Sequence, residues 1–175
     1  MAGMDDTRIT RITRITRFHE EYRFLSNFYP VKVEYDGVQY PTVEHAYQAA
    51  KVEAHEVYRR GSYVIGKWRE VIRIADTPGR AKGFGRRVPL RAGWDEMKLK
   101  VMEELLRHKF SKRLYPVLAH SLMATGEAEL IEGNDWGDRF WGATLQAFGE
   151  HSKPPQWVGG NHLGKLLMKL RSELQ

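Results

Sequence analysis

The sequence contains no cysteine, which excludes disulfide bonds and thiolate metal sites. It has no apolar run of the roughly 20 residues that a membrane-spanning helix needs, and its start lacks the apolar core of a secretory signal. From these absences we expect a cytoplasmic protein. The seven histidines show no spacing typical of metal ligands, and no Ser-His-Asp arrangement can be argued. We therefore expect no metal site.

Length and charge set broad limits on what the protein can be. The 175 residues predict one domain with a sizeable core. The formal net charge is +6, and the pI is near 9.5. Such a charge suits an anionic partner, for example a phosphate-bearing metabolite or a nucleic acid. Because the basic residues are scattered, the same charge can also serve solubility alone.

The first 17 residues differ from the rest of the chain. Thr-Arg-Ile occurs three times and is followed by Thr-Arg-Phe, a period of three that matches neither a helix nor a strand. We interpret residues 1–17 as a low-complexity extension and residues 18–175 as the domain. The extension is either a basic arm that touches nucleic acid or a poorly ordered tail.

The domain opens with a hairpin signal and a helix signal in direct succession. Apolar and polar residues alternate from Val31 to Tyr40 around Asp36-Gly37, which predicts an antiparallel hairpin. Thr42 follows a proline and precedes an apolar pattern, as the N-cap of a helix does. This order brings Asn27, in the aromatic loop before the hairpin, close to the start of that helix.

Farther along the chain, the apolar periodicity mainly predicts helices. A helical pattern broken by Gly61 and Gly66 covers residues 53–75, and Thr77-Pro78 predicts the start of a short helix that ends at Gly83 or Gly85. The other predicted elements are a helix over residues 95–110, a helix over 114–123, a short strand at 129–132, a loop-like stretch over 143–158 and a closing amphipathic helix.

The helix after Thr42 places a carboxylate and an ammonium group on one face. Glu44, Gln48 and Lys51 are four and three residues apart, so their side chains stack. Such a pair can lie on the wall of a buried cleft, where chemistry is set up, or form an ordinary surface ion pair. The neighbouring stripe is rich in alanine, which favours a helix inside the domain.

Three other segments carry polar groups at positions that suit a ligand. Residues 134–142 combine two tryptophans and two aspartates with glycines, so they form either a functional loop or a core plug with capped turns. Gly159-Gly160 before the last helix could bring backbone amides against a phosphate, although the spacing matches no nucleotide-binding motif. Arg86, in a basic connection, is a phosphate candidate because guanidinium groups match phosphate oxygens.

Several separated segments, taken in order, resemble the YbiA-like (NADAR) family over about residues 18–174. The matching segments are Phe24-Leu25-Ser26-Asn27-Phe28, Tyr40-Pro41-Thr42-Val43-Glu44-His45, Ala75-Asp76-Thr77-Pro78, Gly85-Arg86, Trp94-Asp95, Lys109-Phe110, Asp138-Arg139-Phe140-Trp141-Gly142 and Asn161-His162-Leu163-Gly164-Lys165-Leu166-Leu167-Met168. The resemblance implies a compact, predominantly helical α+β domain with a small antiparallel β-hairpin or sheet. It also implies an N-glycosidase that needs no cofactor.

The resemblance further implies two kinds of substrate and a set of site residues. The enzyme would cleave the bond between ribose and base either in riboflavin-pathway ribosylamino-pyrimidine phosphates or in ADP-ribosylated guanine of nucleic acid. Glu44, Asp138 and Lys51 fall on the family's catalytic positions. The substrate contacts would come from Asn27, Phe28, Lys82, Arg86, Trp141, Gly142 and Asn161.

A second hypothesis, from another class, uses the same cleft without catalysis. The domain would then be a binding module for ADP-ribose or another nucleotide. Both hypotheses predict an anionic ligand, and turnover separates them.

Overall fold

The computed structural model describes residues 12–147 and 155–175 and shows an α+β architecture dominated by helices, which confirms the predicted fold class. The α-helices of this part of the chain are α1 (Val43–Ala50), α2 (Trp68–Arg73), α3 (Pro78–Gly85), α4 (Trp94–Lys109), α5 (Pro116–Ala124) and α6 (His162–Leu174). Its strands are β1 (Arg14–Ile15), β2 (Val33–Tyr35), β3 (Val38–Tyr40), β4 (Val57–Arg60), β5 (Tyr63–Lys67), β6 (Glu129–Leu130), β7 (Thr144–Gln146) and β8 (Gln156–Val158). A 3-10 helix spans Glu20–Leu25.

The strands associate in pairs rather than in one continuous sheet. The pairs β2–β3, β4–β5 and β7–β8 are antiparallel, whereas β1 runs parallel to β6. In the first hairpin Tyr35 pairs with Val38, and the turn residues Asp36 and Gly37 have φ values of 53° and 72°. Two successive positive φ values are typical of the two-residue turn that matches strand twist, so the predicted Asp-Gly hairpin is confirmed.

The helical prediction for residues 53–75 is wrong over most of its length. Residues 57–67 form the β4–β5 hairpin, and only α2 at the end of the segment is helical. Arg60 pairs with Tyr63 across a turn at Gly61, which has a φ of 60°. A glycine in the left-handed region reverses the chain, and the aromatic and β-branched residues on either side then favour strands.

Short strands also occur in two stretches for which the sequence predicted no regular structure. Residues 143–158, predicted as loop-like, contain the paired strands β7 and β8, while residues 148–154 lie outside the described residues. Residues 1–11 of the predicted extension also lie outside the described residues. The end of that extension forms β1, and Ile15 is buried in the core.

No helix within the described ranges is both long enough and apolar enough to cross a lipid bilayer.

Helix α1 lies at the centre of the domain and is buried on all sides. Every one of its eight residues is buried, and it packs against α2, α3 and α4. Thr42 begins the helix as predicted, because its side chain accepts a hydrogen bond from the amide of His45 (3.2 Å). Ala46, Ala49 and Ala50 leave room for the neighbouring elements to approach closely.

Helix α3 comes closest to α1 at a glycine. A Cβ atom added to Gly85 would lie 2.6 Å from Cδ and 2.8 Å from Cβ of Gln48. The side chain of Gln48 therefore occupies the space that any larger residue at position 85 would need. This contact fixes the separation of the two helices.

Gly85→Ala should destabilise the protein by about 1–3 kcal/mol, because overpacking a buried contact forces side chains or backbone to shift. Gly83→Ala on the same helix is the matched control, since its added Cβ meets no atom within 4 Å. That control should gain about 0.5–1 kcal/mol from helix propensity. Urea unfolding of both variants makes the comparison, and equal stabilities would contradict the close contact.

Candidate active site

One cavity brings together the residues that the sequence analysis placed on different segments. It has a volume of about 450 Å³, and its wall includes Glu44 and Lys51 from α1 and its C-terminal end, and Asp138 from the loop of residues 134–142. Asn27, Phe28, Lys82 and Trp141 line the same cavity. The two carboxylates that the resemblance singled out thus share one site, with two lysines beside them.

Glu44 is held by its own helix in an almost dry environment. The side chain of Gln48 donates a hydrogen bond to Glu44 Oε1 (2.8 Å), and both residues are buried. Burial raises the pKa of Glu44, while the Gln48 hydrogen bond and the nearby Lys82 and Lys51 oppose this shift. The carboxyl group can therefore change its charge within the site.

Asp138 is positioned by a network of hydrogen bonds inside its loop. Its Oδ1 accepts hydrogen bonds from the amides of Phe140 (3.1 Å) and Trp141 (2.9 Å). The side chain of Asn134 accepts from the Asp138 amide (2.9 Å) and donates to the Asp138 carbonyl (2.8 Å). Although irregular, the loop therefore presents its aspartate in one orientation.

Lys51 and Lys82 supply positive charge at the cavity. Burial lowers the pKa of Lys51, and the nearby Lys82 and Arg86 lower it further against the attraction of Glu44. Lys82 Nζ lies 5.8 Å from the ring centre of Trp136. Arg86, which the sequence also suggested, is exposed at the end of α3 and is not among the described residues that line the cavity.

Aromatic rings form much of the remaining wall. The ring of Tyr47 packs edge-to-face against Trp141 and at a tilt against Trp94, with centroids 5.3 Å apart in both pairs. Phe28 lines the opening and is 39% exposed. Flat aromatic surfaces next to a cavity can stack against a planar ring such as a base.

Asn27 connects the aromatic loop to the start of α1, as the sequence predicted. Its backbone carbonyl accepts a hydrogen bond from the Glu44 amide (3.0 Å). Its side-chain Oδ1 is buried and has no hydrogen-bond partner within the described residues. An unsatisfied buried oxygen costs free energy, so this atom is suited to accept a hydrogen bond from a ligand.

Asn161 and Gly142, both predicted as substrate contacts, have other roles. Neither is among the described residues that line the cavity. The side chain of Asn161 is engaged at both ends, because Nδ2 donates to the Leu130 carbonyl (2.8 Å) and Oδ1 accepts from the Glu132 amide (3.0 Å). A Cβ at Gly142 would collide with the carbonyl oxygen of Glu132. These residues contact the segment that carries Glu132 and so stabilise the cavity wall without lining it.

Of the two glycines before α6, Gly160 does not present a free amide. The amides of Gly160, Asn161, His162 and Leu163 donate to backbone carbonyls of residues 139–142. The proposed phosphate contact is therefore not supported at Gly160. These amides instead join the start of α6 to the aspartate loop.

Sequence reasoning missed several residues of the cavity. Glu132, Asn134 and Lys98 line it, and Lys98 Nζ lies 4.1 Å from the ring centre of Phe140. Lys98 is four residues after Trp94 and three before Val101, so it lies on the buried face of α4, whereas Glu132 follows a two-residue strand. A lysine within the apolar stripe of a helix was a signal for Lys98, whereas nothing in the local pattern distinguishes Glu132 from a solvated surface charge. In the described part of the chain, no three acidic or histidine side chains come together as metal ligands would.

Comparisons with known proteins identify the family of the chain. The chain matches the NADAR domain over residues 15–175. It is 37% identical to N-glycosidase YbiA of Escherichia coli over 159 residues, which cover 89% of this chain and 83% of that protein. It is 32% identical to N-glycosidase Npun_R5314 of Nostoc punctiforme over 89% of this chain and 88% of that one.

A longer relative and a solved structure extend the comparison. The Vibrio vulnificus riboflavin biosynthesis protein VVA0006 is 32% identical over 89% of this chain, which spans only 36% of that protein. The NMR structure of Escherichia coli YbiA superposes with a TM-score of 0.67 at 33% identity and covers 94% of this chain and 89% of that one. The resemblance noted from the sequence is thus confirmed: the chain belongs to the NADAR domain family and is a hydrolase of the N-glycosidase type.

Proposed function

We propose that the protein hydrolyses the N-glycosidic bond between a phosphorylated ribose and a pyrimidine base, with a ribosylamino-pyrimidine phosphate as substrate. The observation that carries the proposal is the meeting of Glu44 and Asp138 in one cavity with Lys51 and Lys82 beside them. The name of the Vibrio vulnificus relative, a riboflavin biosynthesis protein, supports this substrate class. The cavity of about 450 Å³ is of a size that holds a small ligand.

The proposed chemistry follows from the demands of breaking a ribosyl C–N bond. The reaction passes through an oxocarbenium-like state, which one carboxylate stabilises electrostatically while another activates water. Glu44 and Asp138 take these two parts. Trp141 and Phe28 stack against the base, and Asn27 accepts a hydrogen bond from the sugar or base. Lys82 binds the phosphate, with Arg86 as a more distant positive charge.

A substrate comparison tests the proposed function directly. The protein is incubated with a ribosylamino-pyrimidine phosphate and, separately, with DNA that carries ADP-ribosylated guanine. We expect release of ribose phosphate from the first. Restored guanine without ribose phosphate would instead identify nucleic acid as the substrate. Tight binding of both compounds with no product from either would show a nucleotide-binding module and overturn the proposal.

Glu44→Gln should lower turnover by about 100-fold or more, because the amide can neither carry the negative charge nor exchange a proton. The fold should survive, since glutamine keeps the size of the buried side chain. Glu34→Gln is the matched control, because Glu34 is an exposed glutamate on β2. Steady-state kinetics with circular dichroism make the comparison. Wild-type rates in the Glu44 variant would remove Glu44 from the mechanism.

Lys51 has two chemically different uses, as a phosphate anchor or as an amine that attacks the aldehyde of the opened sugar. Its lowered pKa favours the second use, because only the neutral amine is nucleophilic. We therefore expect Lys51→Arg to lose as much activity as Lys51→Met, although arginine keeps the charge. Borohydride added during turnover should trap a ribose phosphate adduct on Lys51, detected by mass spectrometry. Activity retained only by the arginine variant would assign the anchoring role.

A further inference from the structure

Glu132 is an acidic side chain of the cavity wall that takes no part in the steps assigned to Glu44 and Asp138. It lies two residues after β6 and belongs to the cavity wall. Its Oε2 is buried and lacks a hydrogen-bond partner within the described residues. A buried carboxyl oxygen without a partner is costly, so its retention beside a ligand cavity calls for a functional explanation.

The backbone of Glu132 is fixed from several directions while its carboxyl group is left without a partner. Asn161 Oδ1 accepts a hydrogen bond from the Glu132 amide (3.0 Å), and the Ala143 amide donates to the Glu132 carbonyl (3.0 Å). At Gly142 an added Cβ would collide with that carbonyl and lie 3.2 Å from Glu132 Cγ. Asn161 and Gly142 therefore act together to hold this one residue.

The acidic side chains that line the cavity differ in the donors that surround them, and one of them, Asp95, is paired with Lys98 (2.7 Å). Asp138 Oδ1 accepts two backbone amides, and Glu44 Oε1 accepts the side-chain amide of Gln48. N–H donors favour the ionised form of a carboxyl group. No N–H group in the described part of the chain donates to the Glu132 carboxyl, so this group lacks the donors that would favour its ionised form.

The charges that face Glu132 come from four different elements. Burial raises its pKa to about 7, Asp138 and Glu44 act in the same direction, and Lys82 and Lys109 oppose them. Lys109 is fully buried on α4, and its Nζ donates to the Ser26 carbonyl (2.6 Å). Because burial also lowers the pKa of Lys109 to about 7, its charge compensates Glu132 only in part.

We propose that Glu132 is the proton donor of the reaction, an inference that rests on the proposed function. As the bond between C1′ and the base nitrogen breaks, its electron pair goes to the nitrogen, which takes the proton from the Glu132 carboxyl group. Water then bonds to C1′ and displaces the Lys51 amine from the Schiff base that this amine forms with the opened sugar. The water gives a proton to the carboxylate that activates it, Glu44 or Asp138. That proton returns to Glu132 through solvent, so each cycle consumes one water molecule.

Glu132→Gln separates proton donation from other effects. Glutamine keeps the shape and the neutrality of the protonated acid, but its amide is not acidic enough to protonate the leaving nitrogen. With the ribosylamino-pyrimidine phosphate, kcat should fall by about 100-fold or more. With 4-nitrophenyl riboside 5-phosphate, whose leaving group departs as a stable anion, the rate should change little. Asp138→Asn is the matched comparison and should slow both substrates, because it removes charge that both reactions need.

The pH dependence supplies a second kinetic readout that needs no nitrophenyl substrate. The wild-type rate should decline as pH rises through about 7, where Glu132 loses its proton. This decline should be absent from the residual activity of Glu132→Gln. Equal losses of rate on both substrates would overturn the proposed role of Glu132, and so would a decline with pH that is the same in the variant as in the wild type. Either result would leave the proposed function standing. A wild-type protein that cleaves no ribosyl substrate would overturn the proposed function and this inference with it.

A stability measurement tests the buried proton without any turnover. Some carboxyl groups have a higher pKa in the folded state than in the unfolded state. Such a group lowers the free energy of unfolding as the pH rises from the unfolded-state pKa to the folded-state pKa. Glu132→Gln should therefore match the wild type in acid and become the more stable protein above about pH 7. Urea unfolding at both pH values measures this, with Glu34→Gln as the control. A stability difference that does not grow with pH would refute the buried proton and so the proposed donor.

Discussion

The structure depends on a helix that has no exposed face. Because every residue of α1 is buried, each polar side chain on it must find a partner inside the domain. Glu44 is paired with Gln48, while His45 Nδ1 lies 2.8 Å from Thr42 Oγ1 and its Nε2 donates to the Ala75 carbonyl (3.1 Å). These partners hold the polar side chains of α1, so Glu44 is oriented by the protein itself.

The other half of the site obtains its rigidity from hydrogen bonds rather than from regular structure. The loop of residues 134–142 is closed internally by Asn134 and Asp138, and its carbonyls accept the first amides of α6. A helix start leaves four amides without partners inside the helix, and here the loop accepts those of Asn161, His162 and Leu163. The same bonds that complete α6 thus place Asp138, Phe140 and Trp141 at the cavity. This explains how a segment rich in glycine, asparagine and aspartate can serve as a wall.

Local signals predicted local structure well wherever neighbouring residues alone decide the conformation. The Asp36-Gly37 turn, the Thr42 cap and the Thr77-Pro78 start all depend on contacts within a few residues, and all are confirmed. The segment before α2 was assigned to a helix broken at Gly61 and Gly66, whereas Gly61 reverses the chain and the residues on either side pair as strands. Asn161 was assigned to the substrate because it matches a family motif. Such a match does not distinguish a residue that contacts substrate from one that supports a neighbouring strand.

The sequence by itself determined the family, the fold class, the main helices and the two acids that share the cavity. It did so because caps, turns and motif segments are encoded in short stretches of the chain. Only the tertiary structure decided which side chains support the site from behind, and it brought Glu132 to the cavity beside Glu44 and Asp138. The electrostatic environment of Glu132 is set by burial and by charges on α1, α3, α4 and the aspartate loop, which are distant in the chain and meet only after folding.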